Sequence, residues 1–491
     1  MRFSYVGYKA ASREISLSRD LELSQSLVPD TETLKEVTVT AVENKGVTSS
    51  TRIGRDAIAH IQPSSFADLL ELLPGGMAKD PVLGSPQLIN LRSANALSNA
   101  NYATSALGTR FVIDGRPINN DANMQSTPAY SNYGGGYVNF GTDMREISTE
   151  DIENVDIVRG IASVKYGDLT SGLVNITRKR GGKDLHARFK SDMKSKLFYL
   201  GKGFEWGDRS DRLTLNSSVN FLDSRSDPRQ TRQNWKRLTA SVRAGRDLID
   251  DRFRKTFSAS LDYTGSFDNQ KSDVDLDVAE GGTPVETYRS TYNKFSIGGR
   301  FSVKSQDEDS FFRLWEGDAS ISCEKDEISR WRRVSLGKST PVSTSLDPGV
   351  HDALMVPAKY DATLRVDGLP FYAFASTSAT FAKGVSRLQV GAEWNMDKNY
   401  GRGTIFDTSR PFSTSMSVRP RPYSSIPATH RFSAFAEESL RKRIGSFSLD
   451  WVLGLRAEMM TGAGKKFLVD MKPCLDPRTN VRLTFPTVSP G

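Results

Sequence analysis

From residue 183 onward, apolar and polar side chains alternate with a period of two. Leu213, Leu215, Val219 and Phe221 alternate with Thr214, Asn216, Ser218 and Asn220. Phe257, Ala259, Leu261, Tyr263 and Phe267 alternate with Ser258, Ser260, Asp262, Thr264 and Ser266. The same rhythm runs through residues 295–303, 388–396 and 447–455. A period of two sends successive side chains to opposite faces of a strand, so each run predicts a strand with one apolar and one polar face. Runs of about nine residues or more are long enough to cross a bilayer when tilted. The polar face is small and hydroxylic, which suits a barrel with a wet or plugged lumen. A soluble sandwich would carry more Lys and Glu there. Roughly ten such strands stand out. Residues 271–289 and 330–359 read as long polar loops at one end.

The first third has a different texture. Phe66, Leu69, Leu70 and Leu73 follow i, i+3, i+4, i+7, which predicts a helix with one apolar face. Ser65 and Asp68 form its start signal, and Pro74-Gly75-Gly76 its stop. Residues 87–92 read as a strand ending in Arg92. Residues 110–118 read as a hairpin, because Asp114-Gly115 between two apolar runs supplies two positions that accept positive φ. Ser148 or Thr149, with Asp151, reads as the cap of a helical turn. Val155, Ile157 and Val158 form a short buried strand, closed by Arg159-Gly160. Tyr166-Gly167 and Ser171-Gly172 allow tight bends or close packing before a second strand at 173–177. The linkers 93–109 and 119–145 are long for a compact domain. They hold Tyr102, Tyr130, Tyr133 and Tyr137, which read either as substrate-facing or as surface residues of plain insertions.

These elements, in this order, resemble the plug domain of TonB-dependent outer-membrane receptors. The residues that carry the resemblance are Leu72-Leu73-Pro74-Gly75, Ile113-Asp114-Gly115 with Pro117, Ile152-Glu153, Arg159-Gly160, Tyr166-Gly167, Gly172 and Asn175-Ile176. Ile161 stands where the family usually has proline, Leu173 where it has a second glycine, and Ser93 where it has glycine. The resemblance implies a mainly β fold: an α+β plug domain followed by part of a transmembrane antiparallel β-barrel. It divides the chain into 1–29, the tail of a carboxypeptidase-regulatory-like β-sandwich; 30–44, a linker; 45–182, the plug; and 183–491, an incomplete barrel. Within the linker, Glu36, Val37, Thr38, Val39 and Thr40 look like a TonB box, the segment that an energising partner captures by strand addition. The same run also reads as the first strand of the next domain. By the resemblance, Arg92, Glu153 and Arg159 are polar plug contacts, expected as buried arginine–glutamate pairing. Asp114, Gly115, Gly160, Tyr166 and Gly167 are structural plug positions. The implied activity is uptake of a scarce solute, a ferric siderophore or similar metal complex, across the outer membrane of a Gram-negative bacterium. The implied partners are TonB with its inner-membrane energising complex, and a small-molecule substrate. A non-transporting surface receptor and a truncated, inactive piece are the alternatives. Ala41-Val42-Glu43-Asn44 lacks the segment typical of glycan importers, and the sandwich tail is similar to Bacteroidetes sequences.

Composition narrows the rest. With 491 residues the chain exceeds one ordinary domain. No run of about 18 apolar residues occurs, so no transmembrane helix is expected. The net charge is +8, but Lys and Arg are scattered among nearly as many acids, which argues against nucleic acid. Residues 1–8 show no secretory signal, and the chain reads as a piece lacking both ends. Cys323 and Cys474 are open to pairing or to staying free. His60, His186, His351 and His430 form no ligand spacing, and His430 reads as a lumen or rim residue. Residues 336–340 imitate the end of a phosphate loop, but Arg332 stands where its first glycine belongs. No catalytic residue, metal site or cofactor is expected, and an enzyme is disfavoured.

Overall fold

The computed structural model describes residues 2–3, 11–12, 42–43, 49–73, 83, 87–89, 91, 105–119, 121–122, 141–225, 233–271, 286–307, 309–343, 349–350, 352–412, 422–445, 447–461 and 472–484. Strand β1 (Arg2–Phe3) pairs with β2 (Ala11–Ser12). A six-stranded sheet comes next. Its strands are β3 (Val42–Glu43), β4 (Ser50–Gly54), β5 (Thr109–Ile113), β6 (Arg116–Ile118), β7 (Ile152–Val158) and β8 (Gly172–Arg178), in the order β3-β4-β7-β8-β5-β6. Only β5 and β8 run parallel. Helix α1 (Arg55–Ile61) and the 3₁₀ turn Phe66–Leu72 cover it. Ile53, Phe66, Leu69, Phe111, Ile152, Val155, Ile157, Val174 and Ile176 close into one core.

The start signal at Ser65 works as read. Its side chain accepts from the Ala67 N–H at 3.1 Å, and Asp68 accepts from the Ser65 N–H at 3.0 Å. The element is 3₁₀ rather than α, and it buries Phe66 and Leu69. The Asp114-Gly115 turn is also as read, with φ of 51° and 86°. Three readings need correction. Gln87, Leu88 and Ile89 are not a strand; Gln87 instead answers the 3₁₀ turn Met144–Glu146, its carbonyl accepting from the Met144 N–H at 2.9 Å. No helical turn is capped at Ser148 or Thr149, because Asp151 is drawn outward to Tyr199 and Ser218. The cap is Asp143, at the start of Met144–Glu146. The sequence reading missed α1, which is only 7 residues long.

The second sheet has 14 strands, all paired antiparallel. It runs through β9 (Leu185–Ser191), β10 (Ser195–Gly207), β11 (Asp211–Arg225), β12 (Gln233–Ile249), β13 (Phe253–Lys271), β14 (Glu286–Ser305) and β15 (Phe312–Ser335). A small hairpin, β16 (Thr340–Ser343) with β17 (Ala353–Val356), stands apart. Then come β18 (Lys359–Gly368), β19 (Pro370–Lys383), β20 (Ser386–Asn399), β21 (Gly403–Phe406), β22 (Thr429–Ile444), β23 (Phe447–Met460) and β24 (Lys472–Thr484). The main path from β9 to β24 has twelve strands, more than the roughly ten read from the pattern. The strands also extend into the expected loops: β14 begins at Glu286 and β15 reaches Ser335. At one end the connections are tight. Asp208 accepts from the N–H groups of Ser210 and Asp211, and Asp250 accepts from those of Arg252 and Phe253. At the other end they are long.

The alternation has a definite sense. On β11 the polar residues Thr214, Asn216, Ser218 and Asn220 are buried, whereas Leu213 and Val219 are 45% and 44% exposed. The first sheet fills the concave side, so polar residues face it and apolar residues face out. Cys323 is one of the outward residues and is free. Gly172 shows how tightly the first sheet is closed. A Cβ there would lie 2.7 Å from the carbonyl oxygen of Val158 and 2.6 Å from Leu91 Cδ1. Gly172→Val should therefore destabilise this sheet by about 1–3 kcal/mol. Trypsin resistance of residues 105–178 in a urea series checks it.

Candidate functional site

The filled lumen is the functional centre, and it is built on ion pairs. Arg178, the last residue of β8, turns its guanidinium between the two sheets. It donates from Nε to Asp114 Oδ2 at 2.6 Å and from Nη1 to Asp262 Oδ1 at 2.5 Å. Its N–H also donates to Asp114 Oδ1 at 2.9 Å. Asp114 is the turn residue of the β5–β6 hairpin, and Asp262 sits on the inward face of β13. Ser241 and Ser260 donate to Asp262, and Arg116 donates to Ser260 at 2.8 Å. Burial alone would raise the Asp114 carboxyl pKa. Arg178 overrides it, by charge and hydrogen bonds, and holds the carboxyl below its ordinary value.

A second contact lies at Met144–Glu146. Arg237 of β12 is fully buried and donates to the carbonyls of Arg145 (2.6 Å) and Ile147 (3.0 Å). Arg145 pairs with Asp143 and lies over the Trp235 ring at 4.7 Å. Glu146 lines a cavity of ≈190 Å³ together with Lys294 and Tyr292, its hydrogen-bond partner, and it feels the charge of Glu324 on β15. Burial, with Asp143 and Glu324 adding like charge, pushes its carboxyl up to about 8.

The third contact grips main chain. The loop after β7 is held by side chains from β22, β23 and β24. Arg456 donates to the carbonyls of Val164 and Lys165, and Arg478 to those of Ala162 and Ser163. Asn480 donates to Ile161, and Glu437 accepts from the Val164 N–H at 2.9 Å. Arg110 on β5 donates to Glu393 of β20 at 2.9 Å and to the Gly167 carbonyl at 2.8 Å. Above it, Asn119 donates to Asp397 at 2.7 Å, and Arg431 pairs with Asp168 at 2.6 Å.

The residues read from sequence divide into three groups. Asp114 and Gly115 are at the centre of the site. A Cβ on Gly115 would lie 2.1 Å from Arg300 Nη1, which shows how closely the wall approaches. Gly167 and Tyr166 belong to the gripped loop; a Cβ on Gly167 would meet Glu458 and Arg456, and Tyr166 packs beside Val112 and Leu173. Gly160 donates to Ser49 O at 3.2 Å. The expected arginine–glutamate pairing fails: Glu153 is exposed, and Arg159 donates instead to Thr51 Oγ1 at 3.0 Å. The reason is local to the strand. Glu153 follows buried Ile152 at a register shift in the pairing of β7 with β8, and its side chain is left exposed. Arg92, the segment from Glu36 to Thr40, and Tyr102, Tyr130, Tyr133 and Tyr137 lie outside the described residues. Sequence reasoning missed Arg110, Arg145, Arg178, Arg237, Arg456, Asp262 and Glu393. Asp262 alone carries a clear signal, a lone charge in an inward column of small polar residues between Ser260 and Thr264. Among the described residues, no group of three or more His, Cys, Asp or Glu is arranged to hold a metal ion.

With this geometry in place, residues 43–174 match the model of the TonB-dependent receptor plug domain. The fold is similar to the copper transporter OprC (14% identity, TM-score 0.50, 92% of this chain and 62% of that one). It is likewise similar to the ferric-catecholate import receptor Fiu of E. coli K12 (13%, TM-score 0.50, 89% and 66%). A mutant of the ferric enterobactin receptor PfeA of Pseudomonas aeruginosa matches at 17% identity and TM-score 0.49, over 88% of this chain and 59% of that one. The chain thus spans about three-fifths of the length of the receptors it matches first. No curated relative matches it in sequence. Residues 43–174 thus form a plug domain of the TonB-dependent receptor kind, seated against a β-sheet that shares the fold of the receptor barrels.

Two outcomes follow. Arg178→Ala leaves Asp114 and Asp262 buried without their shared cation, and should cost about 3–5 kcal/mol of plug seating; protease release of the plug measures it. Glu146 carries the opposite pH sign to Asp114. Its pKa is raised in the seated plug, so its contribution is full below about 4.3, the free carboxyl value, and is lost as pH rises toward about 8. Glu146→Gln should flatten the decline in protease resistance between those limits, and an unchanged decline refutes it.

Proposed function

We propose that this protein takes part in energy-coupled uptake of a scarce solute across the outer membrane of a Gram-negative bacterium, the solute being a ferric siderophore or similar metal complex. One observation carries the reading: a plug domain fills the polar face of a sheet whose other face is apolar. The inward polar, outward apolar pattern suits a wall between lipid and a plugged lumen. The plug blocks passage, so uptake requires work on the plug. The outer membrane has no ATP, and TonB-dependent receptors borrow that work through TonB. We read 1–29 as the tail of a carboxypeptidase-regulatory-like sandwich, 30–44 as the linker, 45–182 as the plug and 183–491 as barrel.

In this reading TonB pairs with the segment from Glu36 to Thr40 as an added strand, through main-chain hydrogen bonds. That segment leads directly into β3, which pairs with β4 at the edge of the plug sheet through Val42↔Arg52 and Glu43↔Thr51. A pull on it loads that edge first. Of the receptors with a similar fold, one is a copper transporter and another a ferric-catecholate import receptor. They support a metal complex as the solute class.

Deleting residues 34–40 separates uptake from mere binding. The expected result is loss of energised accumulation of a radioiron-labelled siderophore mixture, with surface binding retained. Accumulation that survives the deletion sinks the coupling role and favours a non-transporting surface receptor.

A further inference from the structure

A small cavity of ≈40 Å³ lies at the top of the plug, between Asn119, Asp121 and Asp168 on one side and Asn395 and Arg431 on the other. It adjoins the larger cavity at Glu146, with which it shares Ile118, Asn119, Thr142 and Tyr372 as lining. By the measure of about 10–15 Å³ per water-sized centre, it has room for about three such centres, enough for a head group but not for a metal complex. Its chemistry is one-sided. Asp121, Asp168 and the adjacent Asp397 act on one another electrostatically, and all three share one guanidinium, that of Arg431. Arg110, the other cation on the lining, also acts on Asp121 and Asp168 through its charge, but its hydrogen bonds go to Glu393 and the Gly167 carbonyl. Asn119 satisfies Asp397 on one oxygen only, donating at 2.7 Å. Asn395 is 3% exposed, and its amide oxygen has no hydrogen-bond partner. A buried acceptor without a donor leaves a hydrogen bond that an incoming N–H group can make.

The carboxylate surplus and the orphan acceptor call for the same thing, a compact group that is positive and rich in N–H. The carboxylates do not converge as a metal-binding set. We propose that this cavity receives a primary ammonium group carried by the imported solute. An ammonium offers three donors and no acceptor, so it can serve Asn395 Oδ1 and two carboxylates at once. The inference rests on the receptor reading only for the statement that the group belongs to an imported solute. It favours solutes with a free amine arm over polyanionic complexes.

The test uses rubidium, a cation close to ammonium in size whose anomalous scattering can be located. Crystals of the full chain are soaked in rubidium chloride, and parallel crystals in sodium bromide. The expected result is an anomalous rubidium peak beside Asn395, lowered at least twofold in the Asp121→Asn/Asp168→Asn variant. Asn395→Asp keeps the side chain's size and should raise the occupancy at least twofold. No rubidium peak, a peak unchanged in the double variant, or a bromide peak in the same place overturns the proposal. None of these outcomes touches the uptake reading, which stands or falls on the deletion of residues 34–40.

Discussion

The guanidinium of Arg178 is the contact on which the arrangement of the two sheets depends. It ties three separate stretches together: the end of β8, the β5–β6 turn and the wall strand β13. Each stretch is positioned for its own reason. The turn stands where it does because Asp114 and Gly115 accept positive φ. β8 is fixed by parallel pairing with β5 and antiparallel pairing with β7. Asp262 faces inward because the pleat of β13 sends its apolar neighbours Leu261 and Tyr263 to the other side. The guanidinium then satisfies two carboxylates that would otherwise repel each other in a buried space. Such a group is a poor source of net stability but a strong source of register, since removing either kind of partner leaves an uncompensated charge.

The plug is held chiefly by polar contacts, and this follows from the inverted sheet. The apolar faces of β11, β13 and β14 look outward, so the lumen offers hydroxyls, amides and charges. A plug core of Ile, Val, Leu and Phe closes on itself beneath its own sheet. What meets the wall is mostly its polar rim, with Leu83 against Leu197, Leu222 and Trp235 as an apolar contact beside it. The grip on the 161–165 loop is the extreme case. Arg456, Arg478, Asn480 and Glu437 bind its peptide groups rather than its side chains. Ile161 can therefore stand where proline is usual, because this grip asks only that the backbone be presented.

The sequence made some of this legible and hid the rest for physical reasons. The strands were visible because a lipid-or-lumen choice imposes strict alternation, as in 213–221. The Asp114-Gly115 turn was visible because few residues accept its φ values. Helix α1 was not, since seven residues hold too few turns for a periodic signal. The arginine–glutamate pairing assigned to Glu153 and Arg159 was misplaced because partners across two sheets are set by tertiary position. Arg178 sat in a run of basic residues that reads as a solvated stop. Its partner Asp262 lies 84 positions further on. Arg237 gives no signal from spacing, because its hydrogen-bond partners are the carbonyls of Arg145 and Ile147 and the amide oxygen of Asn220.

The contacts also rank the parts of the plug. β3 and β4 lie at one edge of the plug sheet, and among the described residues β3 is joined by two residue pairs. β5 and β8 lie further in and carry Arg110 and Arg178, each tied to the wall. The segment 144–147 is clasped by Arg237, and the loop 161–165 by three wall strands. Between these limits, Gln62 and Ser64 meet the wall through the single ammonium of Lys190. A force entering at residues 36–40 therefore meets the weakest joints first and the buried ion pairs last. On the proposed reading, that order lets the N-terminal part of the plug yield while the guanidinium of Arg178 keeps the rest in register, and the same pairs guide its return once the pull ends.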